Sequence, residues 1–135
     1  MMKHDELLTY LKAIPGSEET FPFGADVPVF KVEGKMFALV AKREGRRFIN
    51  LKCDPLHAVE LRDIFSAVTA GYHMNKKHWN SVDLAGDLPD GELLRLVDHS
   101  YTCVVQGLPK AARQRLFLAH GEERIMRGRL RALNQ

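Results

Sequence analysis

VFKVEGKMFALVAKREGRRFINLK, residues 29–52, is the stretch that decides the fold. Val29-Phe30-Lys31-Val32 reads as a strand, Met36 to Ala41 as a second and Phe48 to Lys52 as a third. They are joined by two glycine-containing breaks, Glu33-Gly34-Lys35 and then Lys42-Arg43-Glu44-Gly45-Arg46-Arg47. Three such runs joined by short turns form an antiparallel meander.

Upstream, Leu7, Leu8, Leu11 and Ile14 fall at helical spacing, and Pro15-Gly16 ends that helix. Ser17 to Pro28 reads as a turn-rich connection. Downstream, Asp54-Pro55 supplies an N-cap and a first-turn proline for a helix bearing Leu61, Ile64, Phe65 and Val68. Two more strands are expected, a short one over Thr69 to Met74 and a longer one over His78 to Leu84. Pro89 opens a long helix with the stripe Leu93, Val97, Tyr101, Val104 and Leu108, and Lys110 to Ala119 forms a further short one. Grouped antiparallel strands with helices towards both chain ends predict an α+β fold, a two-layer sandwich of sheet against helices. Residues 1–118 make one domain, and 119–135 form a basic C-terminal extension.

The chain has 135 residues, 45% hydrophobic and 27% charged, which is the composition of one ordinary globular domain. No apolar run is long enough to span a bilayer and the N-terminus lacks a secretion-signal core, so a cytoplasmic protein without membrane contact is expected. Cys53 and Cys103 are expected as reduced thiols. The net charge is only +3, but it is unevenly spread: residues 108–135 carry +5 and residues 1–107 carry −2. That asymmetry points to an anionic partner.

Two cationic clusters carry the functional reading. His73-Met74-Asn75-Lys76-Lys77-His78-Trp79-Asn80 gathers two lysines around the only tryptophan. Strand alternation sends Val82 towards the helices and Trp79 to the opposite, open face. Cations beside an exposed ring suit a phosphate backbone and stacked bases, although strand edges also carry lysine merely for solubility. The second cluster, Lys42, Arg43, Arg46 and Arg47, is a hairpin wing that would grip phosphates, with Lys52 and Lys76 extending the strip. DNA is therefore the expected partner of Lys42, Arg43, Arg46, Arg47, Lys52, Lys76, Lys77 and Trp79. The alternative is a protein or small-ligand binding module using His73, Asn75, His78 and Asn80 for directional hydrogen bonds.

Catalysis is not expected. His73 and His78 are five apart, a poor metal pair on strand or helix. Cys53 lies near a helix start, where a thiol could be activated, but an inert small residue is the commoner outcome. Ser100 lies inside a helix instead of on a nucleophile turn. The scattered glycines build no phosphate loop or dinucleotide fingerprint, so neither cofactor nor metal is expected.

The sequence resembles the MmcQ/YjbR family. The resemblance runs through Pro22-Phe23-Gly24, Val29-Phe30-Lys31-Val32, Gly34-Lys35-Met36-Phe37-Ala38, Asn50-Leu51-Lys52-Cys53-Asp54-Pro55 and Leu61-Arg62. It continues through Gly71-Tyr72-His73-Met74-Asn75-Lys76-Lys77-His78-Trp79-Asn80, Leu88-Pro89 and Ser100-Tyr101, covering about residues 5–118. It implies a CyaY-like (frataxin-like), double-wing sandwich, and members of the family are commonly labelled DNA-binding.

Overall fold

A computed structural model describes residues 2–126, so Arg127, Arg129 and Arg131 of the expected basic extension lie outside the described residues. The elements are α1 (His4–Ala13), β1 (Ser17–Thr20), β2 (Val29–Val32), β3 (Lys35–Arg43), β4 (Arg46–Lys52), α2 (Pro55–Ile64), β5 (Val68–Ala70), β6 (Trp79–Asp83), α3 (Asp90–Gln106), α4 (Lys110–His120) and α5 (Glu122–Ile125). The six strands form one sheet in the order β1-β2-β3-β4-β6-β5, every neighbouring pair antiparallel. β4 and β5 therefore run parallel with β6 between them, and α2 makes the crossover. The expected α+β sandwich is the observed fold.

The meander lies where the sequence placed it. Its inward residues, Phe30, Ala38, Val40, Ile49 and Leu51, are buried and share one face by register. All five members of the expected α3 stripe are buried against that face. β2 pairs Phe30 with Ala38 but Lys31 with Met36, so Phe37 is the extra residue of a bulge. Its ring meets Tyr101 edge-on at 5.4 Å and lies 6.5 Å from Phe30.

Three expectations need correction. Ser17–Thr20 is a strand paired with β2, although it was read as part of a connection. The α2 stripe stops early: Ile64 is 68% exposed and Val68 belongs to β5. The physical reason is Asp87, whose carboxylate accepts from Ser66 N and Ala67 N and draws the chain out of the helix. Those backbone hydrogen bonds hold its pKa below the usual carboxylate value. Finally, β5 ends at Ala70 and β6 begins at Trp79, so residues 71–78 form a turn-rich loop where strand was expected on both sides.

One hydroxyl joins the two layers. Ser100, fully buried in the middle of α3, donates to Phe37 O at 2.6 Å and accepts from Lys52 N at 2.8 Å. The register that pairs Ala38 with Leu51 would bring Phe37 and Lys52 opposite one another at the next step. Ser100 occupies that step in place of a direct ladder bond. Beside it, Tyr101 Oη donates to Pro15 O at 2.7 Å and pins the exit of α1.

Ser100→Ala would leave one buried N–H and one buried C=O without partners, at about 1–3 kcal/mol each. We expect Ser100→Ala to lower unfolding free energy by about 2–4 kcal/mol in urea denaturation, with an unchanged denaturant slope. A loss below about 0.5 kcal/mol, the usual effect of a surface change, would contradict the bridging role.

Candidate nucleic-acid interface

The β3–β4 hairpin sorts its own charges. Lys42 is opposite Arg47 and Arg43 is opposite Arg46. Successive side chains alternate, so Lys42 and Arg47 project to the helix side and Arg43 and Arg46 to the open side. The expectation of one four-cation wing is corrected: the hairpin presents two pairs on two faces. Arg46 is also committed, its Nε and Nη2 lying 2.8 and 2.5 Å from Asp83 Oδ2.

On the open face Arg43 is not bare. Its guanidinium lies 4.1 Å from the centre of the Tyr72 ring, a cation–π arrangement. Tyr72 in turn stands edge-on to Phe48 at 5.8 Å and has His73 against it at 4.0 Å. His73 is exposed and adopts φ +59, a left-handed conformation that a non-glycine residue holds only when its surroundings impose it. The result is a short ridge of Arg43, Tyr72 and His73 above a sheet face that carries no helix among the described residues.

The ridge is held from below by polar side chains. Asn50 and Ser81 are buried register partners on the open face, the Ser81 hydroxyl donating to Asn50 Oδ1. Asn50 Nδ2 donates to Tyr72 O at 3.1 Å, and Ser81 Oγ accepts from Tyr72 N at 2.8 Å. From the other side Arg62 donates to Asn80 Oδ1 at 2.7 Å and to Lys76 O. Sequence reasoning quoted Asn50, Arg62 and Tyr72 for their resemblance without assigning them a role. Their signal was polar residues in a stretch patterned for burial.

The remaining expected site residues separate. Asn80 is buried and donates to Ala58 O at 3.3 Å, so its placement with an exposed ligand-binding set is corrected. Asn75 spends its Oδ1 on Lys77 N at 2.9 Å, within its own turn. His78 is half-buried, with its carbonyl accepting from Cys53 N. Lys76 directs Nζ to Gly71 O at 2.6 Å, so this ammonium is part of the loop's scaffold. Lys77 is exposed. Trp79 is half-buried on the open side, opposite Lys52 by register and not beside Lys77 as expected. Gly71 N donates to Trp79 O, and a Cβ at Gly71 would lie 2.8 Å from Trp79 Cβ. Only glycine fits there.

A second cluster lies where α2 and α3 meet the end of β4. His99 Nε2 accepts from Asp54 N at 3.2 Å, lies 3.5 Å from Cys103 Sγ and faces the His57 ring edge-on at 5.8 Å. Burial, helped by the nearby His57 charge, lowers the pKa of His99. Burial is also the first cause at Cys53, pushing its pKa up to about 12, and it raises that of Cys103. Both cysteines are free thiols. No group of three or more His, Cys, Asp or Glu among the described residues could hold a metal ion. No helix there is long and apolar enough to cross a membrane.

A family model described as YjbR matches residues 12–103. Uncharacterized protein YjbR of Escherichia coli strain K12 is 40% identical over 115 residues, which is 85% of this chain and 98% of that protein. Uncharacterized protein YbdF of Escherichia coli O157:H7 is 40% identical over 103 residues, 76% of this chain and 84% of that one. The crystal structure of Deinococcus radiodurans protein DR2400, with the family domain DUF419, aligns with TM-score 0.77 and 38% identity, covering 86% of this chain and 88% of its own. A Pseudomonas syringae protein aligns with TM-score 0.66 and 26% identity, over 76% and 98%. The chain belongs to the YjbR family.

Gly71→Ala should cost about 1–3 kcal/mol, the usual range for overpacking, read as a lowered melting temperature. Melting unchanged within a degree would show that the Trp79 strand yields easily. For Cys53 the expected outcome is kinetic and alkaline. Native protein should react with a disulfide reagent near pH 8 far more slowly than urea-unfolded protein does. The unfolded thiol ionises near 9.0 and the folded one only near 12, so the folded state holds the extra proton between them. Stability therefore falls as pH rises through that window, and Cys53→Ala should remove that part of the loss. Equal labelling rates in folded and unfolded protein would overturn this.

Proposed function

We propose that this protein is a non-enzymatic DNA-binding domain that holds unpaired bases and adjacent phosphates on its open sheet face. The observation that carries the reading is the Arg43–Tyr72–His73 ridge, three flat groups in contact on a sheet face that carries no helix among the described residues. Planar groups of this kind are stacking platforms for bases, and they tolerate any base because each has a π-face. Lys52, opposite the half-buried Trp79 by register, adds a phosphate contact, and the exposed Lys77 of the loop offers another. The left-handed backbone at His73 supports the same reading, since strain retained in an exposed position calls for a use.

Few cations on that face are uncommitted. Arg46 is paired with Asp83, Lys76 is bonded within its loop, and Lys42 and Arg47 project from the other face. Arg43, Lys52 and Lys77 remain. Three phosphate contacts give a log–log salt slope of about −3 on duplex DNA and about −2 on a single strand, well short of a dedicated duplex binder. Stacking must therefore supply much of the affinity.

Fluorescence anisotropy with a single-stranded oligonucleotide tests the proposal. Binding should be tighter than to the matching duplex, with a salt slope of about −2. Arg43→Ala should weaken it about tenfold, within the range for loss of one stacking contact. His73→Gly should weaken binding while leaving the melting temperature equal or higher, because glycine accepts the same φ without strain. No binding at low salt, or binding indifferent to Arg43→Ala, would end the proposal.

A further inference from the structure

The opposite pair of hairpin cations points somewhere else. Lys42 and Arg47 border a cavity of about 340 Å³ lined by the first turn of α1, the tip of the β3–β4 hairpin and the β6–α3 connection. Its walls are mixed: Leu7, Val82, Leu84 and Leu93 supply apolar surface, and the polar side is mainly cationic. Its size falls within the range of small-molecule sites. Asp83 is on its wall but is engaged by Arg46, and Asp90, also on the wall, has a partner of its own.

Three features of this cavity share one remedy. Lys42 and Arg47 make no ion pair or side-chain hydrogen bond among the described residues. His4, on the same wall, has a buried Nδ1 without a hydrogen-bond partner. Burial, with the charges of Arg47 and Lys42 beside it, disfavours the protonated ring, against a smaller opposing effect of Asp5. Water would satisfy the nitrogen and hydrate the two exposed cations, but it would not neutralise their charge beside the imidazole. An anion satisfies all three, since it pairs with the lysine and the arginine and accepts from an Nδ1–H.

We propose that this cavity binds a small anion on an apolar body, a phosphate monoester or a carboxylate. Lys42 and Arg47 grip its head, His4 Nδ1–H donates to it, and its body lies against Leu7, Leu84 and Leu93. The site is independent of the open face, because strand alternation puts its two cations on the other side of the sheet from Arg43.

The probes are phenyl phosphate, benzoate and inorganic phosphate, titrated into the full chain and followed by backbone amide shifts and by calorimetry. Expected is saturable binding of phenyl phosphate or benzoate with a dissociation constant at or below about 1 mM. Shifts should centre on the Leu84 to Gly86 amides. Inorganic phosphate should bind more weakly, for want of the apolar body. Lys42→Gln and Arg47→Gln each alter an exposed side chain, so the fold persists, and each should weaken binding about tenfold, as expected for loss of a charge-assisted contact. Arg43→Ala should leave it unchanged, which separates this site from the DNA face. Absence of shifts at the Leu84 to Gly86 amides, or binding of equal strength in both glutamine variants, would overturn the assignment.

Discussion

The Ser100 hydroxyl is the constraint on which the two layers depend. A sheet and a helix normally meet through apolar side chains alone, and such contacts tolerate sliding. Here a helix side chain completes a sheet ladder, taking the Lys52 N–H and giving its proton to the Phe37 carbonyl. The Phe37 carbonyl is buried and the Lys52 N–H partly so, and the one hydroxyl serves both, so α3 is locked to β3 and β4 in register as well as in distance. The bulge at Phe37 belongs to the same arrangement, because it turns a large ring inward against Tyr101 just where the ladder opens. With Tyr101 pinned to Pro15, one helical step of α3 holds the meander on one side and α1 on the other.

From that fixed point the chain proceeds directly to the loop that matters. Lys52 is followed by Cys53, whose N–H donates to His78 O, and by Asp54, which accepts from His57 N at the start of α2. α2 then supplies Arg62 to the same end of that loop, at Lys76 O and Asn80 Oδ1. Residues 71–78 are thus tied at the His78 end by Cys53 and Arg62 and at the Tyr72 end by Asn50 and Ser81. A loop fastened in this way loses little entropy when it meets a ligand, and a preorganised surface binds better than its contact area alone would suggest. The most distinctive stretch of the sequence is consequently mostly scaffold. Lys76, Asn75 and Asn80 serve the loop, and Tyr72, His73 and Lys77 are what the loop displays.

How much of this was legible follows from which physical signals are local. The meander was readable because turn glycines and strand composition are short-range signals, and α3 was readable because five apolar residues repeat at helical spacing. β1 was not: Ser17-Glu18-Glu19-Thr20 has no apolar alternation and becomes a strand only because β2 offers it an edge. The end of α2 was misread because Ile64 and Val68 continue the apolar spacing, while the carboxylate that ends the helix comes from Asp87, far along the chain. The same division holds for the site. The two clusters were visible as composition, but the Arg43–Tyr72 contact joins β3 to the β5–β6 loop, and no local spacing announces it.

The hairpin shows why a cluster of charges in sequence is not a patch in space. Four cations flank Glu44-Gly45, and on a flexible loop they would repel one another and face any anion together. On paired strands the two-residue period divides them, so each sheet face receives one lysine or arginine from each strand. Each face then supplies different neighbours. On the open side Arg43 meets an aromatic ring and Arg46 meets a carboxylate, so one cation remains available above a flat surface. On the helix side Lys42 and Arg47 meet a half-buried imidazole that cannot neutralise them, at the mouth of a cavity. A flat cationic surface suits an extended polymer, and a cationic pair at the mouth of a cavity suits a compact anion. The alternation of one β-hairpin is enough to produce both.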